Sequence, residues 1–170
     1  MSVFTPILTA LILGVLLFQS SFAVHASKEL LEFKMMTGVS GIFVGSSHPM
    51  RGINGGGLPW VVGSAKGELS ANGEVEVKVI GLVLDPNDPV VISRGLAGIN
   101  PIASFKAIVS CISTDDSGMP VVVNVSTRLF PATTGGNAKI EDRVTLPTMC
   151  KMPIIFVASP GGAWFATSGF

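Results

Sequence analysis

The sequence lacks tyrosine, has only two cysteines and contains few charged residues, which make up 13% of the chain. Its 170 residues carry 11 Lys and Arg against 11 Asp and Glu, so the net charge is zero. A neutral chain has no basic field to attract nucleic acid, and we predict that nucleic acid is not a partner. The hydrophobic fraction of 48% is too high for a disordered chain and indicates a packed core.

The only long apolar run lies near the start of the chain. Residues 7–18 form an uncharged run that is shorter than the roughly 20 residues of a membrane-spanning helix. Small residues follow it up to Ala26, an order that is typical of a secretory signal peptide. We predict a signal peptide over 1–26, as an N-terminal signal helix, and one secreted domain over 27–170. The alternative is an uncleaved membrane anchor.

The two cysteines, Cys111 and Cys150, become a predicted disulfide if the domain is exported to an oxidising space. Closing a loop of about 40 residues stabilises a fold by roughly 4 kcal/mol in the chain-entropy account. Two free buried thiols are the alternative. His48 is the only histidine of 27–170, and no cluster has metal-ligand spacing, so we predict neither a metal site nor a cofactor.

The domain has the pattern of an all-β protein. Gly and Pro recur every eight to twelve residues, and the segments between them alternate apolar and polar side chains. We predict a single antiparallel β-sandwich, immunoglobulin-like or related, with about seven or eight strands. Outside two hairpins, the predicted strands lie at 33–44, 139–146, 152–158 and 163–167, and a type II turn with Pro160 and Gly161 at its centre joins the last two.

The first hairpin has two possible registers. A two-residue turn would place Leu69 opposite Glu76, whereas a three-residue loop with Gly73 in the left-handed conformation pairs Leu69 with Val75 and Val61 with Val83. We predict the second register because it keeps the core face apolar. The other face has charges near the turn and an apolar base, which is either covered or exposed as a contact patch. The charged residues are Lys66, Glu68, Glu76 and Lys78, and the base is Trp60, Val62, Ile80, Leu82 and Leu84.

The second hairpin spans 105–127 around a turn at 115–118. Alternation places Cys111 on the core face with Val123 and Val125. The opposite face is predicted to be solvated and carries Lys106, Ser110, Asn124 and Ser126. Asn124 begins an Asn-Val-Ser sequon, so its outward position predicts a glycosylation site.

Candidate ligand-binding residues surround a glycine-rich stretch. Gly55, Gly56 and Gly57 precede Trp60, but no helix follows them, which disfavours a phosphate site. We predict that Arg51, Trp60 and Trp164 bind a ligand, with the indole rings stacking on a sugar or anchoring an interface. The competing interpretation is that both tryptophans belong to the sandwich core.

The segments RGI at 51–53, GGGLPW at 55–60, VSC at 109–111 and FPA at 130–132 resemble a group of small secreted microbial β-sandwich proteins with no known activity. The resemblance covers nearly all of 27–170. It implies secretion and a single domain, and it assigns no catalytic residue.

The sequence therefore predicts a non-catalytic extracellular binding module for a glycan or a protein. One alternative is a secreted hydrolase that uses His48 or a pair of carboxylates, although the chain lacks a GxSxG elbow. The other is a cell-envelope structural protein that self-associates through the apolar base of the first hairpin.

Overall fold

The structure is a computed structural model that describes Met1 and residues 28–169, so the predicted signal peptide falls, apart from Met1, outside the described residues. Within 28–169, no helix is long and apolar enough to cross a membrane. One short helix, α1 (Pro89–Ser93), and a 3₁₀ turn (Gly41–Phe43) accompany twelve strands. The strands are β1 (Glu29–Phe33), β2 (Thr37–Gly38), β3 (Trp60–Val61), β4 (Ser64–Ser70), β5 (Glu74–Ile80), β6 (Val83–Leu84), β7 (Ser104–Thr114), β8 (Pro120–Ser126), β9 (Phe130–Pro131), β10 (Ala138–Arg143), β11 (Lys151–Ala158) and β12 (Trp164–Thr167).

The described strands form two larger antiparallel sheets, which confirms the predicted β-sandwich, and β3 and β6 form a separate antiparallel pair. The first sheet has the order β1-β4-β5-β10. The second has the order β2-β12-β11-β7-β8, and β9 also pairs with β7. Eight of the described strands have four or more residues, in agreement with the predicted number.

The core lies between the sheets because each long strand alternates buried and exposed positions. In β5 every second residue is a buried valine, and the charged residues between them are exposed. Burying one such side chain stabilises the fold by about 1.5–3 kcal/mol. The inward set includes Leu69, Val75, Val77, Val79 and Ile140 from the first sheet and Phe105, Ala107, Val109, Ile155 and Val157 from the second.

The register predicted for the first hairpin is confirmed. Leu69 pairs with Val75, Val61 pairs with Val83, and Gly73 has a φ of 85°. The hairpin is interrupted between β3 and β4, and its base leaves the first sheet there, because the Trp60 N–H donates to the Val39 carbonyl near β2.

The apolar base of this hairpin is mostly covered. Leu82 and Leu84 are buried, and residues 98–99 hydrogen-bond on both sides of the Leu84 backbone. Only Ile80 of the base is classed as exposed, at 44%. A continuous apolar contact patch, which the sequence left open, is therefore not formed.

The second hairpin also has the predicted pairing, with Cys111 opposite Val123. Cys111 is fully buried and forms the predicted disulfide with Cys150, which precedes β11. The prediction of a solvated opposite face is wrong in part. Ser110 and Ile108 on that face are buried, at 0% and 5% exposure. The turn that contains Arg51 reaches this face, because Asn124, which pairs with Ser110, donates to the Arg51 carbonyl.

Three of the turns share one hydrogen-bond pattern. At 115–119, 133–137 and 159–163 the first residue donates to the carbonyl of the fifth, and a glycine at the fourth position donates back. The left-handed residue of the last turn is Gly162, with a φ of 95°, and not Gly161. The predicted type II turn is therefore wrong, since it would need a positive φ at Gly161.

Two further differences concern local structure. The predicted strand over 33–44 is split into the end of β1, the two-residue β2 and the 3₁₀ turn. Helix α1 was not predicted, although Asp88 and Pro89 are typical of a helix start. The Asp88 carboxylate accepts hydrogen bonds from the Val90 and Val91 N–H groups.

Arg128, between β8 and β9, connects the second sheet to Asp142 on β10 of the first sheet. Its backbone N–H donates to Asp142 Oδ2 at 2.8 Å, and its guanidinium donates to both carboxylate oxygens at 3.2–3.3 Å. These hydrogen bonds from Arg128 lower the pKa of Asp142 from 3.8 to about 2.

We expect Gly73→Ala to destabilise the fold more than Gly118→Ala. Both glycines have a similar positive φ, of 85° and 82°, so alanine carries a similar backbone penalty of about 1 kcal/mol at each site. A Cβ at position 73 would also fall on the Val144 carbonyl oxygen, whereas a Cβ at position 118 meets no atom within 4 Å. Urea unfolding of the two variants measures the difference, and equal losses would contradict the packing at Gly73.

We expect Asp142→Asn to weaken the acid dependence of stability. The pKa of Asp142 is lower in the folded state, so its contribution is present above pH 4 and is lost as the pH falls towards 2. Thermal unfolding between pH 2 and 6 should give a higher melting temperature for the wild type than for the variant at pH 6, and this difference should disappear near pH 2. Asp116→Asn, at an exposed hairpin tip, is the control. A difference in melting temperature that stays constant over this pH range would contradict the prediction.

Candidate functional site

The glycine-rich stretch forms an additional strand-like layer beside β12. Trp164 N–H donates to the Asn54 carbonyl at 2.9 Å, and Gly56 N–H donates to the Trp164 carbonyl at 2.8 Å. On the other side, the Gly45 N–H donates to the Gly56 carbonyl, and the Gly45 carbonyl accepts from the Gly55 N–H. A Cβ on Gly55 would fall on the Phe43 carbonyl oxygen, so glycine is required for this close approach.

The two tryptophans lie beneath and beside this layer and do not face solvent. Trp60 is 4% exposed and stacks on Phe165, with ring centroids 4.0 Å apart. Trp164 is fully buried, between Phe43 and Phe156. The predicted stacking platform is therefore wrong, because neither ring has an open face for a sugar.

Arg51 has a structural position in the same region. It is the first central residue of a tight turn from Met50 to Ile53, and both Arg51 and Gly52 have positive φ angles, as a type I′ turn requires. Its Nη2 donates to the Met152 carbonyl at 3.0 Å, within the irregular part of β11 between Lys151 and Ile154. The structure therefore does not bring Arg51 into an open site with the tryptophans.

Asn124 is exposed on β8, as predicted for the sequon. Its Nδ2, the atom that would carry a glycan, donates to the Arg51 carbonyl at 2.9 Å. This hydrogen bond connects the turn that contains Arg51 to β8 of the second sheet. Its use as a glycosylation site stays a prediction.

A polar groove of 420 Å³ opens beside this attachment, on the outer face of the second sheet. We call it the outer groove. Its floor is formed by β7 and β8, one wall by residues 52–54, and the other wall by the turn between β11 and β12. The lining residues are Gly52, Ile53, Asn54, Lys106, Ile108, Asn124, Ser126, Gly161, Gly162 and Ala163.

Four polar side chains from three segments of the chain converge on the outer groove. Lys106 is half-buried, and its Nζ donates to the Pro160 carbonyl at 3.2 Å. The side chains of Asn54 and Ser126 have no hydrogen-bond partner within 28–169, and Asn124 retains a free Oδ1. The groove therefore combines one ammonium group with hydrogen-bond donors and acceptors that are available to a ligand.

The residues of the hydrolase alternative are not arranged for catalysis by a triad. His48 is exposed and has no hydrogen bond to a serine or an aspartate in the described part of the chain. Over the same residues, no group of three or more His, Cys, Asp or Glu side chains has the arrangement of a metal site.

Sequence reasoning did not identify Asn54, Lys106 or Ser126 as site residues. Alternation placed Lys106 and Ser126 outwards, and Asn54 stood within a recognised glycine-rich stretch. The missing information was tertiary, because the turn at 159–163 and the Arg51 turn meet over β7 and β8 only in the folded chain.

We expect Ser110→Ala to raise the free energy of unfolding by about 1 kcal/mol. The Ser110 hydroxyl is fully buried and has no hydrogen-bond partner among residues 28–169, and such a group costs about 1–3 kcal/mol. Ser126→Ala, which removes an exposed hydroxyl from the same face, should leave stability unchanged. Chemical denaturation provides the measurement. A substantial loss of stability in Ser110→Ala would show that the hydroxyl has a partner in solution.

Comparison of the chain with protein-family models, curated proteins and solved structures finds no match. The similarity to small secreted proteins with the GGGLPW segment therefore stays a prediction.

Proposed function

We propose that the protein is a non-catalytic extracellular binding module whose outer groove binds a carboxylate-bearing sugar unit of a glycan. The observation that carries this proposal is the convergence of Asn54, Lys106, Asn124 and Ser126 on one groove. Ligand sites combine a shaped concavity with a few convergent polar groups, and their volumes are about 300–1,000 Å³. The outer groove falls within that range.

The chemistry of the lining favours an acidic sugar. Lys106 is the only charged residue among the lining residues, and no carboxylate is present there to repel an anion. An ammonium group binds a carboxylate through a charge-assisted hydrogen bond. Amide and hydroxyl side chains both donate and accept, which matches the hydroxyl groups of a sugar ring. Gly161, which is exposed, and Gly162, which is half-buried, have no side chains and leave room for the ring at the wall.

The extracellular location is part of the proposal. A disulfide between Cys111 and Cys150 persists in an oxidising compartment. The signal-peptide pattern over 1–26 predicts the same destination. Extracellular glycans are accessible to a protein in that space.

We expect a weak affinity for a single sugar unit, with a Kd on the order of 1 mM. The groove is shallow and lacks an aromatic ring on which a sugar could stack. The experiment is a titration of the non-glycosylated protein with glucuronic acid and with glucose, followed by NMR chemical shifts. Glucuronic acid should bind at least about fivefold more tightly, because only its carboxylate pairs with Lys106.

Variants test the assignment of the groove. Lys106→Met should remove the preference for the acidic sugar, and Asn54→Ala should weaken binding of both sugars. Lys151→Met, an exposed residue of β11 outside the groove lining, removes the same charge elsewhere and should bind as the wild type does. Failure of both sugars to bind at 50 mM, or an unchanged preference in Lys106→Met, would refute the proposal; this upper concentration is about fifty times the expected Kd.

A further inference from the structure

The outer face of the first sheet carries its charges in two parallel rows. The acidic row crosses all four strands, since Glu32 pairs with Glu68, Glu68 with Glu76, and Glu76 with Glu141. The adjacent basic row consists of Lys66, Lys78 and Lys139, which also pair across their strands, and Lys34 lies beside it at the end of β1. We call this surface the two-row face.

This arrangement opposes the usual rule for sheet surfaces. Like charges directly opposite each other on neighbouring strands are destabilising. Some of the charges are neutralised by ion pairs near the ends of the rows. Lys139 forms ion pairs with Glu141 and Glu76, and Lys34 forms an ion pair with Glu32. In the centre of the face, Lys66, Glu68 and Lys78 form no ion pair within 28–169. The central charges are therefore available to a partner.

A shallow trough of 310 Å³ runs between the two rows and is lined by residues of both. Neighbouring strands are about 4.8 Å apart and alternate residues of a strand about 6.6 Å apart, so the rows extend for roughly 14 Å at a separation of roughly 7 Å. The surface has no net charge over the eight residues of the rows, so it does not match a uniformly charged polymer. It matches a surface with the same two rows in the opposite order.

A second copy of the chain provides such a surface. A two-fold axis that lies between the rows and parallel to them turns one sheet over the other. This rotation places the acidic row of each copy above the basic row of its partner. A two-fold interface must be complementary to itself, and two parallel rows of opposite sign fulfil this condition.

We infer that two copies of the protein associate face to face through their two-row faces, and that Lys66, Glu68, Glu76 and Lys78 form the centre of the interface. The inference is independent of the outer groove, which lies on the other sheet. Because the face is small for a protein interface and its ion pairs are solvated, the dimer is weak and sensitive to salt, with a Kd on the order of 10–100 μM.

Sedimentation velocity of the purified protein between 10 μM and 1 mM, a range that brackets this Kd, tests the inference. At an ionic strength of about 0.15 M the wild type should shift from monomer to dimer with concentration, and at about 1 M salt it should stay monomeric, because the screening length falls from about 8 to 3 Å. A wild type that is monomeric across the range at the lower salt concentration would overturn the inference.

Charge reversal identifies the surface. K66E/K78E makes the centre of both rows acidic, and E68K/E76K makes the centre of both rows basic. The dimerisation affinity of each variant alone should fall at least about tenfold. A mixture of the two should form a heterodimer, which also demonstrates that both variants are folded. The matched control, R94E/K151E, changes the net charge as much as K66E/K78E does and should dimerise as the wild type. Dimerisation of K66E/K78E at wild-type strength, or a mixture of folded variants that stays monomeric, would overturn the inference.

Discussion

The register of the hairpin between Trp60 and Leu84 determines both faces of the first sheet. Side chains alternate along a strand, so a shift by one residue would move every valine of β5 to the surface and every charge into the core. The three-residue loop that ends at Gly73 selects the observed register, and the contact of Gly73 with Val144 requires a residue without a side chain. The same register aligns the glutamates and the lysines in separate rows. The single turn that ends at Gly73 therefore determines both which side chains enter the core and how the charges are arranged on the surface.

Close packing of the glycine-rich stretch has a comparable effect on the second sheet. Because Gly55 and Gly56 have no side chains, their backbone lies against the Phe43 carbonyl and the rings of Phe165 and Trp60, and Gly56 donates to the Trp164 carbonyl. The layer is secured by the Asn124 and Arg51 contacts, and Arg51 in turn binds Met152. Arg51 and Met152 are the non-glycine residues with positive φ among those described, and the hydrogen bond between them joins the two irregular segments.

Hairpin registers, the core faces of β5 and β7, and the disulfide could be predicted from the sequence because period-two alternation and the number of cysteines determine them locally. Which of Gly161 and Gly162 has the positive φ could not be predicted from the sequence, because both glycines tolerate it. The register between β11 and β12 determines which of them adopts it. The tryptophans were ambiguous because aromatic residues suit both a core and a binding surface. Residues such as Lys106 and Asn54 are distant in sequence and meet only through the packing of two turns. The sequence therefore revealed the sheets more fully than the groove above one of them.

The order of strands in the second sheet also constrains how the chain reaches its native state. Strand β11 lies between β7 and β12, so the centre of this sheet comes from the last strands in sequence order. During synthesis, one edge of β7 has no partner strand until Lys151 and the residues after it have emerged from the ribosome. Over the same interval Cys111 cannot form its disulfide, because Cys150 has not yet been synthesised. Non-local pairing of this kind slows folding and leaves a strand edge open to other chains. Rapid closure of the β7–β8 hairpin, which covers the opposite edge of β7, leaves only one edge to be protected in that interval.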